Sequence, residues 1–203
     1  MTATGQEIEV KFYLRDLAVL RQRLVELGAE LAQERVHEVN LRFDTREKAL
    51  LRAKQVLRLR QDTEARLTFK GPGQEQAGAQ FRQELEFTVS DFTTARRLLE
   101  ALGFQVYMMY EKYRTTYRLG EVLVTLDEMP YGDFAEIEGP DGKTIEQTAA
   151  RLRLDWGRRS LESYTFLFEK ARQALGLAFE DLSFANFEGV RVTPDDLGVR
   201  AAD

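Results

Sequence analysis

The residues able to do chemistry in this sequence are charged, and they come at two-residue spacing. Glu7 and Glu9 are followed by Lys11, Arg58 by Arg60, Arg82 by Glu84 and Glu86, Lys112 by Arg114, and Glu136 by Glu138. Lys70 and Asp127 stand at matching positions of similar alternating segments. Grouped carboxylates are hard oxygen ligands suited to Mg²⁺ or Mn²⁺. A guanidinium holds phosphate oxygens in pairs, and an ammonium acts on them as a point charge. A site with both sets is built for a polyanion that carries metal ions: a nucleotide, a triphosphate or a polyphosphate. Other chemistries lack their residues. The chain has no cysteine and one histidine, His37, so thiolate chemistry, disulfides, a zinc cage and a histidine-based triad are all excluded.

Side chains two apart share one face of a strand, so the spacing names the elements that must carry these groups. Strands are predicted near residues 6–13, 35–44, 55–62, 65–70, 80–89, 105–118, 121–129 and 133–139. The intervening residues are apolar, as in Ile8, Val10 and Phe12 against Glu7, Glu9 and Lys11, with Gln83 between Arg82 and Glu84 as an exception. Helices are predicted near 16–27, 91–102, 144–153 and 161–175. The Gly71–Gly78 stretch, with Pro72 and Gly73, reads as a loop. No element is predicted after about residue 177. Asp16 to Gly28 and Asp91 to Gly103 repeat one plan, an Asp that opens a helix and a Leu-Gly that closes it, each behind a Glu-x-Glu strand. This is a weak internal duplication. A wet face on one antiparallel strand is ordinary. Repeated over seven strands and rich in Arg and Glu, it predicts an α+β fold: an eight-stranded antiparallel closed β-barrel, charged inside, with helices packed on its apolar outside. Crowded cations without a ligand would repel one another, so loss of Arg58 or Arg60 is expected to relax the empty protein.

A chain of 203 residues with 43% hydrophobic content supports one sizeable core. Residues 1–175 are expected to form one tunnel domain and 176–203 a tail. A net charge of −5 argues against a nucleic-acid partner but permits a local basic cleft. No apolar run approaches the roughly 20 residues that span a bilayer, and no secretory signal is visible. The expectation is a cytoplasmic monomer or homodimer whose partner is a small-molecule triphosphate or nucleotide.

The ordered set Glu7-x-Glu9-x-Lys11, Arg58-x-Arg60, Lys70, Arg82-x-Glu84-x-Glu86, Lys112-x-Arg114, Asp127 and Glu136-x-Glu138 resembles the CYTH family. These are the triphosphate tunnel metalloenzymes, which include class IV adenylyl cyclases, thiamine triphosphatases and inorganic triphosphatases. The resemblance covers about residues 6–140. It implies that Glu7, Glu9, Asp127, Glu136 and Glu138 bind metal, that Lys11, Arg58, Arg60, Lys70, Lys112 and Arg114 grip phosphates, and that Lys11 and Glu84 serve catalysis. Glu84 would orient bases across the tunnel or help hold a second metal. Arg82 joins the phosphate set, with a structural ion pair to Glu86 as the alternative. Asn40-Leu41-Arg42-Phe43-Asp44-Thr45 matches the family's second strand, with Arg42 where an aromatic residue is common. The segment Leu161-Glu162-Ser163-Tyr164 lacks the lysine of thiamine triphosphatases and is similar to the cyclase-named branch. The implied activity is metal-dependent hydrolysis of a triphosphate; class IV cyclisation of ATP and non-catalytic binding of polyphosphate or nucleotide are the alternatives. His37 is expected to be an ordinary strand side chain. Trp156, Phe179, Phe184 and Phe187 are expected to pack.

Overall fold

The structure, a computed structural model, describes residues 6–76 and 78–203. Ten strands form one antiparallel sheet: β1 (Gln6–Leu14), β2 (Glu30–Asp44), β3 (Val56–Gln61), β4 (Ala65–Lys70), β5 (Gln74–Gln76), β6 (Ala79–Val89), β7 (Gln105–Leu119), β8 (Val122–Met129), β9 (Gly132–Glu138) and β10 (Arg159–Ser160). Eight of them close a ring in the order β1-β9-β8-β7-β2-β3-β4-β6. The ring is completed where β6 returns to β1, with Glu7 opposite Arg82 and Glu9 opposite Gln80. Closure removes the unpaired edges that an open sheet would expose. Strand β5 lies in the segment predicted as a loop. Among the described residues it pairs with β6 alone, and β10 adds two residues to β1.

Helices α1 (Leu17–Glu26), α3 (Phe92–Ala101) and α4 (Gly142–Arg151) lie against the outer face, and α2 is a single turn, Ala49–Arg52. Asp16, Asp91 and Asp141 each cap a helix by accepting a backbone N–H, from Ala18, Thr94 and Thr144. Such a cap is worth about 1 kcal/mol. The two Leu-Gly stops are real: Gly28 and Gly103 take φ values of +75° and +91°, a conformation that side chains rarely adopt. Against α1 and α4, the apolar residues Ile8, Val10, Phe12, Val124 and Ile137 pack on Leu20, Leu24, Ile145 and Ala149. Against α3, Leu41, Phe43 and Leu59 pack on Leu99. Apolar outward parity therefore forces the charged residues inward.

Helix α5 (Tyr164–Leu175) sits differently. Its Tyr164, Leu167, Phe168 and Ala171 meet Met108, Tyr110, Met129, Tyr131 and Phe134. By parity Phe134 shares its face with Glu136, and Tyr110 shares its face with Lys112. Helix α5 thus stoppers one end of the ring, where apolar side chains replace charges. The residues after 177 complete the stopper with Leu182, Phe187 and Leu197. They are tied to the ring through Leu182, which donates to the Met109 carbonyl and accepts from the Glu111 amide. At the far end, Asp203 accepts from the Arg15 and Asp16 amides.

Candidate active site

The inner face of the ring is a network of acids and bases. Lys11 on β1 is 4% exposed and lies 2.5 Å from Glu9 and 3.2 Å from Glu136. Burial opposes its charge, but Glu136, Glu9 and Glu7 outweigh that and raise its pKa. Lys70 on β4 meets Glu7 across the closure at 2.5 Å and Glu84 at 3.4 Å. Arg58 on β3 reaches Glu86 at 3.3 Å and Glu84 at 3.9 Å. Arg60 meets Glu86 at 3.4 Å and Glu38 at 3.7 Å. Lys112 on β7 donates to Asp127 at 3.1 Å. Arg114 bonds Asp127 through Nε at 2.6 Å, and also contacts Glu136.

The ring thus brings together the predicted Glu7, Glu9, Lys11, Arg58, Arg60, Lys70, Glu84, Lys112, Arg114, Asp127 and Glu136. Glu138 stands directly opposite Glu9 in the β1–β9 register. Arg82 behaves otherwise. It donates to the backbone carbonyls of Gly71, at 2.7 Å, and Lys54, at 3.5 Å. Glu86, its expected structural partner, receives Arg58, Arg60 and the Thr68 hydroxyl instead. The expected repulsion among empty cations is not the observed state either: Lys11, Arg58, Arg60, Lys70, Lys112 and Arg114 each have a carboxylate within 4.0 Å. Cations and anions were both legible in the sequence, but their mutual pairing was not, because it depends on which strands become neighbours.

Sequence reasoning missed several residues. Glu38, Asn40 and Arg42 on β2 face inward and are at most 8% exposed. The signal was present, since Glu38, Asn40 and Arg42 alternate with Val39, Leu41 and Phe43 as in every other charged strand. Glu38 lies among bases. Burial alone would raise its pKa, but Lys112, Arg114, Arg60 and Arg58 pull it down to about 2. Tyr164, at the start of α5, donates its hydroxyl to Asp127 at 2.7 Å. No periodicity reveals that contact, because helix and strand are 37 residues apart. His37 is a strand side chain, bonded to Glu111 at 2.8 Å and tilted against the Tyr113 ring. Trp156 packs on Phe12, and Phe179 and Phe187 pack around Phe168. Phe184 lies against Tyr113.

The pattern of the CYTH domain matches residues 5–163. The chain belongs to the CYTH domain family. Its solved relatives share the fold. A CYTH neighbour from Vibrio parahaemolyticus, provisionally described as an adenylate cyclase, is 22% identical with a TM-score of 0.73, over 81% of this chain and 99% of that one. A Pyrococcus horikoshii protein is 27% identical with a TM-score of 0.66, over 78% of this chain and 96% of that one. A Hippeastrum protein, provisionally an adenylyl cyclase and described as having a dominant triphosphatase activity, is 18% identical with a TM-score of 0.56. It covers 96% of this chain and 100% of its own. No curated protein matches the sequence.

CYTH tunnel enzymes are generally dependent on a divalent metal, and the donor set here fits one. Glu7, Glu9 and Glu138 offer only carboxylate oxygens, the ligands of a hard cation. Their crowding is felt: burial raises the Glu138 pKa, and the charges of Glu7 and Glu9 raise it further. A divalent cation would relieve both. Among the described residues no three such side chains already form a cage. Glu7 and Glu9 are drawn onto Lys70 and Lys11.

Proposed function

We propose that this protein hydrolyses a triphosphate inside the ring, releasing the terminal phosphate of inorganic triphosphate or of an organic triphosphate. One observation carries the reading. Six buried or nearly buried cations from four different strands converge on the interior of the ring, each held by a carboxylate that a phosphate could replace. Burying that many charges is costly without a purpose, and a triphosphate brings several negative charges that match them. The dominant triphosphatase activity of the Hippeastrum relative favours hydrolysis.

The bases have distinct places. Lys11, Lys112 and Arg114 lie together beneath α5, anchored by Glu136 and Asp127. Lys70, Arg58 and Arg60 lie on the β3–β4 wall, oriented by Glu84 and Glu86. A linear triphosphate lying between the two groups exchanges carboxylate contacts for phosphate contacts at both. Glu84 acts by positioning Lys70 and Arg58. Glu7, Glu9 and Glu138 are the carboxylates placed to hold Mg²⁺ or Mn²⁺ once phosphates take Lys11 and Lys70. Glu136 and Asp127 are tied to Arg114 and join them only as that contact loosens. When bound, the ion supplies charge to the phosphate oxygens and lowers the pKa of a water. In the reaction a water oxygen bonds to the terminal phosphorus as the bridging P–O bond breaks, giving orthophosphate and a diphosphate-terminated product.

The competing reading is cyclisation of ATP, in which the ribose 3′-hydroxyl takes the place of water at the α-phosphorus. A product assay with tripolyphosphate and with ATP, each with Mg²⁺ or Mn²⁺, separates them. Orthophosphate release from tripolyphosphate is expected, and it should disappear in Glu9→Gln, which keeps size but loses charge. Cyclic AMP and diphosphate from ATP, with no orthophosphate from either substrate, would replace this reading with the cyclase.

A further inference from the structure

The charged network leaves several polar atoms of the inner wall without hydrogen-bond partners among the described residues, Glu38 Oε2, Thr125 Oγ1 and the Nε atoms of Arg58 and Arg60 among them, and Asn40 lacks them at both ends of its amide. Asn40 on β2 is fully buried, and among the described residues neither its amide nitrogen nor its amide oxygen has a hydrogen-bond partner. A buried amide without partners is destabilising, and most such groups in folded proteins are satisfied. Asn40 is also a neutral group in a ring of charges. Its neighbours across the sheet are Arg60 on β3 and Tyr110 on β7. Tyr110 is 7% exposed. Its oxygen accepts from Arg58 at 3.4 Å, and its own O–H has no acceptor among the hydrogen bonds of the described residues. Burial opposes ionisation of that phenol, but Arg58 and Lys112 outweigh it and lower its pKa, which makes the O–H a stronger donor. Both groups border the space shared by Arg58, Arg60 and Lys112, where no carboxylate uses their hydrogens.

We propose that Asn40 and Tyr110 are substrate-contacting residues, an uncharged rung of the wall that reads the phosphate chain by hydrogen bonding. The inference rests on the triphosphate reading above and names two contacts that it does not contain. Asn40 Nδ2 and the Tyr110 hydroxyl donate to phosphate oxygens lying between Arg60 and Lys112. Asn40 Oδ1, which a phosphate oxygen cannot satisfy, accepts an O–H from the attacking water and so fixes where that water stands. The empty protein carries the unsatisfied amide, and the ligand resolves it. A purely structural asparagine would show the reverse, bonded when empty and indifferent to ligand.

The test uses Asn40→Leu and Tyr110→Phe in the full chain, with tripolyphosphate and Mg²⁺ as the probe. Thermal unfolding without ligand and calorimetric affinity are read for each. Asn40→Leu removes an unsatisfied amide while keeping the branched outline of the side chain, so the empty protein should unfold near the parent temperature or above it. Its affinity for tripolyphosphate should fall about 10- to 100-fold, the equivalent of one lost hydrogen bond to a charged group. Loss of kcat beyond the change in KM would mark the water contact at Oδ1. Tyr110→Phe keeps the ring and loses only the hydroxyl, so it reads the same wall even if Asn40→Leu does not fold, and its affinity should fall about tenfold. An Asn40→Leu protein that melts well below the parent yet binds tripolyphosphate equally makes Asn40 structural and overturns the proposal. Parent-like binding by Tyr110→Phe removes Tyr110 from it. If the parent itself binds no tripolyphosphate, the triphosphate reading falls and takes this one with it, whereas parent binding that both variants retain sinks this inference alone.

Discussion

At the scale of single residues, the inner wall behaves as an electrostatic network held ready for exchange. Arg58 illustrates it. Its guanidinium is shared among Glu84, Glu86, Thr68 and Tyr110. Removing it takes one partner from two carboxylates but leaves Glu84 with Lys70 and Glu86 with Arg60 and Thr68, so Arg58→Ala is expected to destabilise the empty protein by about 1.5–3 kcal/mol, the range for a hydrogen bond to a charged group. It should also shrink the stabilisation that tripolyphosphate confers. An unchanged melting temperature in the empty variant would restore the simple picture of mutually repelling bases. Glu38 gives the network a pH signature. Its folded pKa, about 2, is depressed below the ordinary value near 4.3. A depressed carboxylate contributes stability that is complete above the ordinary pKa and is lost as pH falls through the folded one. The parent should therefore lose stability steeply between about pH 4.5 and pH 2, and Glu38→Gln should show a shallower loss there. Parallel curves would mean that Glu38 is not held by Lys112, Arg114 and Arg60.

At the scale of elements, helix α5 is what stoppers one end of the ring. Its first residue, Tyr164, joins the apolar stopper to the charged wall through the bond to Asp127, and its ring lies 5.1 Å from Lys112 and 5.5 Å from Lys11. Tyr164→Phe leaves Asp127 with Lys112 and Arg114, so it is expected to cost about 1.5–3 kcal/mol of stability, the range for a hydrogen bond to a charged group. The tripolyphosphate-induced rise in melting temperature should survive, and its disappearance would make Tyr164 a ligand group instead of an anchor. The elements themselves were legible to different degrees. The strands of the ring announce themselves because each is apolar on one face and charged on the other, and α1 and α3 because Asp caps and Leu-Gly stops frame a helical apolar stripe. Strand β2 begins at Glu30, earlier than expected, because its first residues are exposed on both faces and carry no alternation to read. Strand β5, with Gln74, Glu75 and Gln76 all exposed, has no apolar face either. The stopper role of Leu182, Phe187 and Leu197 is invisible in sequence because these residues follow no regular period, and only tertiary packing orders them. The site was legible as two charge sets and illegible as pairs. Glu7 with Lys70, and Lys112 with Asp127, are contacts made by ring closure and register, which local patterning does not encode.

At the scale of the whole molecule, a protein of net charge −5 conceals an interior crowded with paired acids and bases, and closure of the sheet is what sets them apart from the surface. Outward apolar residues such as Val10, Ile137, Leu41 and Leu59 are covered by α1, α3 and α4, which turns the charges of those strands inward, while Leu85 and Phe87 of β6 stay exposed. Those charges come from distant parts of the chain: Lys11 and Glu136 are 3.2 Å apart in space, and Lys70 meets Glu7 across the seam. A triphosphate bound inside the ring must therefore touch opposite walls at once. Calorimetric titration of tripolyphosphate in Mg²⁺ tests this most directly, comparing the parent with Lys70→Ala on the β4 wall and Lys112→Ala on the β7 wall, each verified as folded by thermal unfolding. One ligand per chain is expected in the parent, with affinity falling more than about tenfold in both variants, since each loses a charge-assisted contact. Parent-like affinity in either variant would contradict binding between the two walls, and an absence of binding in the parent would contradict the tunnel as a triphosphate site.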